Sequence, residues 1–274
     1  MSLVRITTAS LVLALTAGIL AANPLVYEGF NYTPGSQVNL LNGGTGFGAN
    51  AWSAAEPNYT IQSGSLTYKD LATSGNSATF SEPNLSVAQA TRSLLTSGLG
   101  ADSSNEWFSF LMQPGALTAG GLMQLQIEDL FIGETGQNKG FYAVGAGTAL
   151  DSSTVPIVAG QTAFIAIDFQ FNSDPTGLDT ATVYFDPTPG LASPDVTGLV
   201  WQENFSSAIT AMFFEAADGQ SYSFDEIRMG DTYGDVSPVS TTATPEPSLA
   251  WLSGLGLLTL LGRHALARRR RANP

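Results

Sequence analysis

The sequence predicts an all-β protein folded as an antiparallel β-sandwich, and three observations carry that prediction. Apolar and polar residues alternate with a period of two in several separate runs, as they do on half-buried strands. Clusters of Gly, Pro, Asn and Asp separate the runs and turn the chain between them. The segment between the two chain ends is poor in helix signals and rich in Gly, Ser, Thr, Asn and aromatic residues. Residues 23–238 are ample for one core, since all-β domains reach about 200–250 residues as a single unit.

The elements follow in chain order. The glycine-rich stretch Asn42 to Gly48 reads as a loop, because a phosphate-cradling turn needs a following helix and usually a Lys, and Asn50, Trp52 and Pro57 follow instead. Ser86 to Leu95 is the one segment with a helical look. Met123, Leu125 and Ile127 point one way, and Gln124, Gln126 and Glu128 the other, so this run is a half-buried strand. Ala163 to Phe171 is a second strand, with Phe164, Ala166, Asp168 and Gln170 on one face and Ile165, Ile167, Phe169 and Phe171 on the other. The loop Asn172 to Asp179 turns the chain into a return strand, Thr180 to Asp186, which Pro187 and Pro189-Gly190 stop. Ile209 to Ala216 and Ser221 to Met229 repeat the device around Asp218-Gly219, a strong hairpin turn. Tyr222 and Phe224 alternate in step, but Ile227 and Met229 take over on odd positions, so a bulge is expected near Asp225-Glu226.

Both chain ends read as targeting segments rather than fold. Residues 1–22 carry one charge, Arg5, then an apolar run from Ile6 to Leu20, closing in Ala21 and Ala22 before Asn23-Pro24. This is the pattern of a secretory signal peptide, with an uncleaved N-terminal anchor as the other reading. Residues 239–244 form a short polar linker. Pro245-Glu246-Pro247 and fourteen uncharged residues, Ser248 to Leu261, follow it. Residues 248–267 give a single transmembrane helix if Arg263 snorkels, since roughly 20 residues cross a ~30 Å hydrocarbon layer. Arg268, Arg269, Arg270 and Arg271 then stay cytoplasmic by the positive-inside rule.

Charge and missing residue types narrow the function. Of 23 acidic residues only Glu246 lies outside residues 23–243, which leaves 22 against Lys69, Arg92, Lys139 and Arg228, a balance of −18. Such a surface repels nucleic acid and anionic polysaccharide and favours solubility and cation binding. No cysteine is present, so thiol catalysis and Cys-ligated metal are excluded; in an exported protein this leans towards a bacterial source. The one histidine, His264, sits in the tail, which removes a Ser-His-Asp triad and His-ligated zinc from the domain.

Pro-Glu-Pro, an apolar helix and a terminal Arg cluster, in that order, resemble the PEP-CTERM sorting signal of Gram-negative bacteria. The resemblance covers residues 245–271 and implies an exosortase, a membrane-embedded cysteine transpeptidase, as a partner beside the general secretion machinery. It implies transient anchoring in the inner membrane, cleavage at or near Pro245, Glu246 and Pro247, and a final place at the cell surface or outside the cell. The other reading of the tail is an ordinary membrane anchor.

Four further segments, Leu25 to Tyr32, Leu41 to Phe47, Thr182 to Pro189 and Phe224 to Gly230, resemble the laminin-G/concanavalin-like jelly rolls found ahead of such tails. That resemblance implies pairing of the first and last strands, Val26 to Phe30 with Phe224 to Met229.

Three kinds of site are weighed in the domain. Laminarinase-type glucanases of this fold carry Glu-x-Asp-x-x-Glu on one strand; the nearest segments, Glu128-Asp129 and Asp225-Glu226, are adjacent pairs expected on opposite faces, so no catalytic residue is assigned. Asn172, Asp174 and Asp179 in one loop, and Asp225, Glu226 and Asp231 in another, are oxygen-rich enough for Ca2+, or else are a solvated loop and a carboxylate paired with Arg228. Trp52, Tyr59, Trp107 and Trp201 are either stacking platforms for a sugar or core residues. Two functions remain: a structural or adhesive surface component without catalysis, and a carbohydrate-binding module recognising extracellular polysaccharide.

Overall fold

The computed structural model describes residues 24–54, 58–81, 87–94, 103–115, 117, 121–134, 140–147, 149–172, 177–205 and 209–240. The expected signal peptide, Asp174, Pro245 to Pro247, the transmembrane segment and Arg268 to Arg271 lie outside these residues. Among the described residues no helix is long and apolar enough to cross a membrane.

The strands in chain order begin with β1 (Val26–Glu28), β2 (Ser53–Ala54), β3 (Tyr59–Gln62), β4 (Ser77–Ser81) and β5 (Ala88–Ser93). They continue with β6 (Asn105–Pro114), β7 (Leu122–Ile127), β8 (Leu130–Glu134), β9 (Phe141–Ala146) and β10 (Ala149–Pro156). The last are β11 (Ala163–Gln170), β12 (Asp179–Phe185), β13 (Leu199–Glu203), β14 (Ala211–Ala217) and β15 (Ser221–Gly230), followed by one helical turn, α1 (Tyr233–Val236). They build two antiparallel sheets. Among the described residues sheet A has eight strands in the order β13-β12-β11-β6-β15-β4-β3, with β1 also against β15, and sheet B has seven, β10-β9-β8-β7-β14-β5-β2. Long-range antiparallel pairing of this kind is what the period-two pattern demands, because one face of each sheet must be covered.

The inner faces meet in one core. Met123, Leu125 and Ile127 on β7 and Ile165, Ile167 and Phe169 on β11 all point into it, as their alternation requires. Its centre is aromatic: Phe214 and Phe224 stack at 3.7 Å between ring centroids, with Phe30 edge-on to Phe224 at 5.3 Å. Truncating one such ring costs about 3–5 kcal/mol. A smaller apolar cluster lies on the outer face of sheet A, where Leu66, Tyr68 and Leu71 from the β3–β4 connection and Tyr233 and Val236 from α1 cover Trp107, Leu111 and Phe164. A capping box between Thr232 and Asp235 fixes the start of α1.

First and last strands pair, with Val26 opposite Met229 and Glu28 opposite Ile227. The Asp218-Gly219 turn has φ +57° and +80°, the two left-handed residues of a type I′ hairpin. The register of β15 against β6 shifts between Asp225 and Arg228, and Glu226 has φ +54°, so the bulge stands where the phase change put it. At β5 the sequence misled. The segment expected to be helical contains β5, paired with β14 and β2. Ala88, Ala90 and Arg92 are buried while Gln89 and Ser93 are exposed, and a segment this short gains more from a sheet position than from the helix propensity of its alanines. At the other end, Val239 bridges Leu71 and the Ser240 amide donates to the Asp70 carbonyl, so the first two residues of the expected linker are tied to the domain.

Candidate functional site

The acidic candidates resolve into structural locks. β15 pairs with β4 over Ser221 to Phe224 and with β1 over Ile227 to Met229, and Asp225 and Glu226 fill the gap where it changes partner. The expectation that these adjacent carboxylates point to opposite faces is corrected: the bulge turns both towards Ser65, whose Oγ donates to Asp225 and lies 3.2 Å from Glu226. Asp225 also accepts from the Leu66 and Glu226 amides, each at 2.8 Å. Glu226 accepts from the Ser74 amide, from Tyr27 Oη at 3.3 Å and from Arg228, with which it forms a buried ion pair. Burial, and then the neighbouring Glu226, push the Asp225 carboxyl up to about 8 against the pull of these donors. Burial likewise raises Glu226, with Arg228 opposing it. The carboxylates replace a strand partner, and their oxygens are spent on protein donors.

A second lock was not foreseen. Glu28 and Arg92 form an ion pair with both side chains essentially inaccessible. Glu28 accepts from Tyr32 Oη at 2.7 Å, Trp52 Nε1 at 3.3 Å and the Phe30 amide at 3.0 Å. Arg92 donates to the carbonyls of Gly43 and Asn50 and lies over the Phe47 ring at 3.8 Å. It ties the glycine-rich loop to β5.

Of the remaining metal candidates, Asp179 is buried and accepts from the Asn172 amide. Asp231 is exposed; after burial itself, its charge is the next cause raising the Glu106 carboxyl to about 7. Among the described residues no group of three or more metal-ligating side chains comes together.

The three tryptophan candidates are covered in different ways: Trp52 in the core, Trp107 under the outer cluster of sheet A, and Trp201 only in part. Trp52 is 1% exposed in the core beside Phe30 and Phe214. Trp107 is 8% exposed, stacked on Tyr184 and packed against Tyr233. Trp201 packs partly buried against the core, with Nε1 donating to Glu203. Trp52 and Trp107 have no face free for a sugar ring.

The aromatic surface lies instead on the outer face of sheet B. Phe213 on β14, Gln126 on β7 and Phe131 on β8 are direct neighbours across three adjacent strands. All three are partly exposed. The Cα atoms of Phe131 and Phe213 thus stand two strand spacings apart, about 10 Å. Phe131 pairs with Gly145 on β9, and a Cβ there would meet the Phe131 ring at 2.5 Å, so the absent side chain is what lets the ring lie down on the sheet. The adjacent row is polar: Gln89, Glu215 and Gln124 are neighbours in register, and Gln89 donates to Glu215. The row continues through Gly133 and Ala143, which face outward yet are buried, to Ser152 on β10. The outward set of β7 was legible, but Phe131 and Phe213 were not singled out. The signal available was the Phe213-Phe214 pair, since neighbours on a strand must face opposite ways.

No family model and no curated protein matches the chain. Solved structures do match it at low similarity. An endo-β-1,4-glucuronan lyase from the fungus Trichoderma reesei is 10% identical over 79% of this chain and 99% of its own, with a TM-score of 0.44. A GH131 β-glucanase catalytic domain from Podospora anserina is 10% identical over 77% and 88%, at 0.43. Lectin II from Ulex europaeus is 9% identical over 76% and 98%, at 0.40. At these values no residue correspondence and no activity carries over to this chain.

Proposed function

We propose that this chain is an exported cell-surface or extracellular-matrix protein whose sandwich holds a neutral polysaccharide against the outer face of sheet B and performs no covalent chemistry on it. The observation that carries the binding reading is the row Phe131–Gln126–Phe213, two partly exposed rings flanking an amide and bordered by Gln89 and Glu215. Apolar ring faces cover the C–H faces of a pyranose, and the amides and carboxylate serve its hydroxyls. The balance of −18 over residues 23–243 disfavours an anionic polymer. Hydrolysis by paired carboxylates needs two of them about 5–10 Å apart. Among the described residues these two rows of sheet B offer one, Glu215.

The destination rests on the resemblance of residues 245–271 to the PEP-CTERM signal. The tail would hold the protein in the inner membrane, with Arg268 to Arg271 cytoplasmic, until an exosortase cuts near Pro245 to Pro247. A polymer-holding module delivered there acts as an adhesive without being an enzyme.

The test is titration of the full chain in mild detergent with neutral polysaccharides, comparing wild type with the Phe131→Ala/Phe213→Ala variant. The variant should bind at least tenfold more weakly and unfold near the wild-type midpoint, because neither ring supports the core. Undiminished binding, or release of shortened glycan, would overturn the reading. Mass spectrometry of the surface-exposed protein tests the tail: residues 248–274 still attached in every molecule would leave simple anchoring.

A further inference from the structure

We propose a second site for neutral saccharide on the opposite side of the sandwich, in a groove of about 410 Å³ where the start of the β3–β4 connection crosses the outer face of sheet A. This inference rests on the neutral-polysaccharide reading and adds to it: the protein holds two polymer strands at once and cross-links them.

The floor of the groove is a row across three adjacent strands and the residue that precedes a fourth. Ser223 on β15 is opposite Thr79 on β4 and opposite Gln113 on β6. Thr162, just before β11, completes it. The row is linked in pairs, Thr79 Oγ1 with Ser223 Oγ at 2.5 Å and Gln113 Nε2 donating to Thr162 Oγ1 at 3.0 Å. The strand spacing of about 4.8 Å is close to the length of one pyranose ring, so successive hydroxyl-bearing positions meet successive rings of a chain laid across the strands. The wall is the segment from Gln62 to Thr67. It is fixed in place because Ser65 Oγ and the Leu66 amide both donate to Asp225, the carboxylate held in the bulge. The wall is therefore set before any ligand arrives, which reduces the ordering cost of binding. With its proton given to Asp225, Ser65 offers a ligand an acceptor, while the other hydroxyls serve as donor or acceptor.

The chemistry of the lining selects the ligand class. Among the described residues no charged and no aromatic side chain lines the groove; it presents hydroxyls and two amides, Gln62 and Gln113. An anion finds no cation there, and an apolar ligand finds little to cover. A hydroxyl-rich neutral chain finds partners along its length. Because sheets pack about 10 Å apart and the two sites lie on their outward sides, one stiff polymer strand does not reach both, and occupancy of both joins two strands.

The experiment measures stoichiometry by calorimetric titration of the full chain in mild detergent with cellohexaose, mannohexaose and maltohexaose. It is repeated on three variants: Thr79→Val/Ser223→Val, which keeps β-branched or strand-favouring side chains while removing both hydroxyls; Phe131→Ala/Phe213→Ala; and the fourfold combination. Wild type should take up two equivalents of one of these sugars, each double variant one, and the fourfold variant none. Turbidity with the matching long polymer should appear only for wild type. One equivalent in wild type, abolished by the phenylalanine changes alone, leaves the sheet B reading standing and overturns the groove. One equivalent abolished by the hydroxyl changes alone supports the groove and overturns the sheet B reading. No uptake of any of the three sugars overturns both.

Discussion

Replacing Asp225 by Asn tests whether the bulge carboxyl opposes folding at neutral pH. Asp225 is fully buried, and burial followed by the Glu226 charge lifts it to about 8. A carboxyl whose folded pKa is raised keeps its proton in the native state after the unfolded chain has released it. Its stabilising contribution is complete below the unfolded value and is lost as pH rises to the folded one. Each pKa unit corresponds to about 1.36 kcal/mol, so Asp225 alone accounts for a fall on the order of 4 kcal/mol between pH 5 and pH 8. Glu106, lifted to about 7 by burial and Asp231, acts in the same direction. So do Asp168, Asp186 and Glu134, all raised mainly by burial.

The Asp225→Asn variant keeps, in its amide oxygen, the one acceptor that the Leu66 amide and Ser65 share, loses the acceptor of the Glu226 amide, and has no charge to bury. Urea unfolding of the full chain from pH 5 to pH 8.5 should show wild type losing stability steadily, and the variant losing it with a shallower slope. At pH 8.5 the variant should be the more stable by a few kcal/mol, part of the ceiling of about 5 kcal/mol that the full shift allows. A wild type that gains stability over this range, or a variant with the same slope, would refute the account of the bulge.

The Glu28–Arg92 pair makes a second prediction: Arg92→Met leaves Glu28 buried without its cation and should cost about 3–5 kcal/mol, with the Glu28→Gln/Arg92→Met double variant costing less than the two single changes summed. At about 2–4 °C per kcal/mol for a domain of this size, the Arg92→Met melting temperature should fall on the order of 10 °C. Calcium should leave the melting temperature unchanged, because the oxygens of Asp225 and Glu226 are already spent on protein donors. A rise of several degrees would place a calcium site in the loop at residues 172–179, and Asp174→Asn should then remove it.

What the sequence revealed follows the range of each signal. Period-two alternation, the Asp218-Gly219 turn and the phase change near Asp225 are read within a few residues, and β7, β11, β12, the hairpin and the bulge stand where those signals put them. β5 was hidden because the reason Arg92 turns inward is Glu28, 64 residues earlier in the chain. The faces of the tryptophans were equally unreadable, since whether Trp107 is covered depends on α1 and the β3–β4 connection folding over it. Both candidate binding surfaces have this character. Phe131 and Phe213 are neighbours of one glutamine only through the registers of β8 and β14 against β7. Thr79, Gln113 and Ser223 meet only because β15 lies between β4 and β6. Strand order is set by the whole set of pairings, which local alternation does not encode.

The basic residues of the domain sharpen the argument for a neutral ligand. Four lie between residues 23 and 243, and the fold consumes at least three of them. Arg92 and Arg228 are buried in ion pairs with Glu28 and Glu226. Lys69 sits 4.8 Å over the Tyr68 ring and donates to the Asp186 carbonyl; Lys139 lies outside the described residues. The exposed acidic residues are therefore opposed by almost no mobile positive charge, while each buried arginine is cancelled by its own glutamate and leaves the net balance unchanged. If both surfaces bind uncharged hydroxyl-rich chains, the field of the acidic residues does no work on the ligand. Affinity should then change less than twofold between 20 mM and 500 mM NaCl, a range over which the screening length falls from roughly 20 Å to about 4 Å. A tenfold rise with salt would show that a negative ligand is being admitted as the field is screened. A tenfold fall would show that cationic groups do the binding. Either result would overturn the neutral reading of both surfaces together.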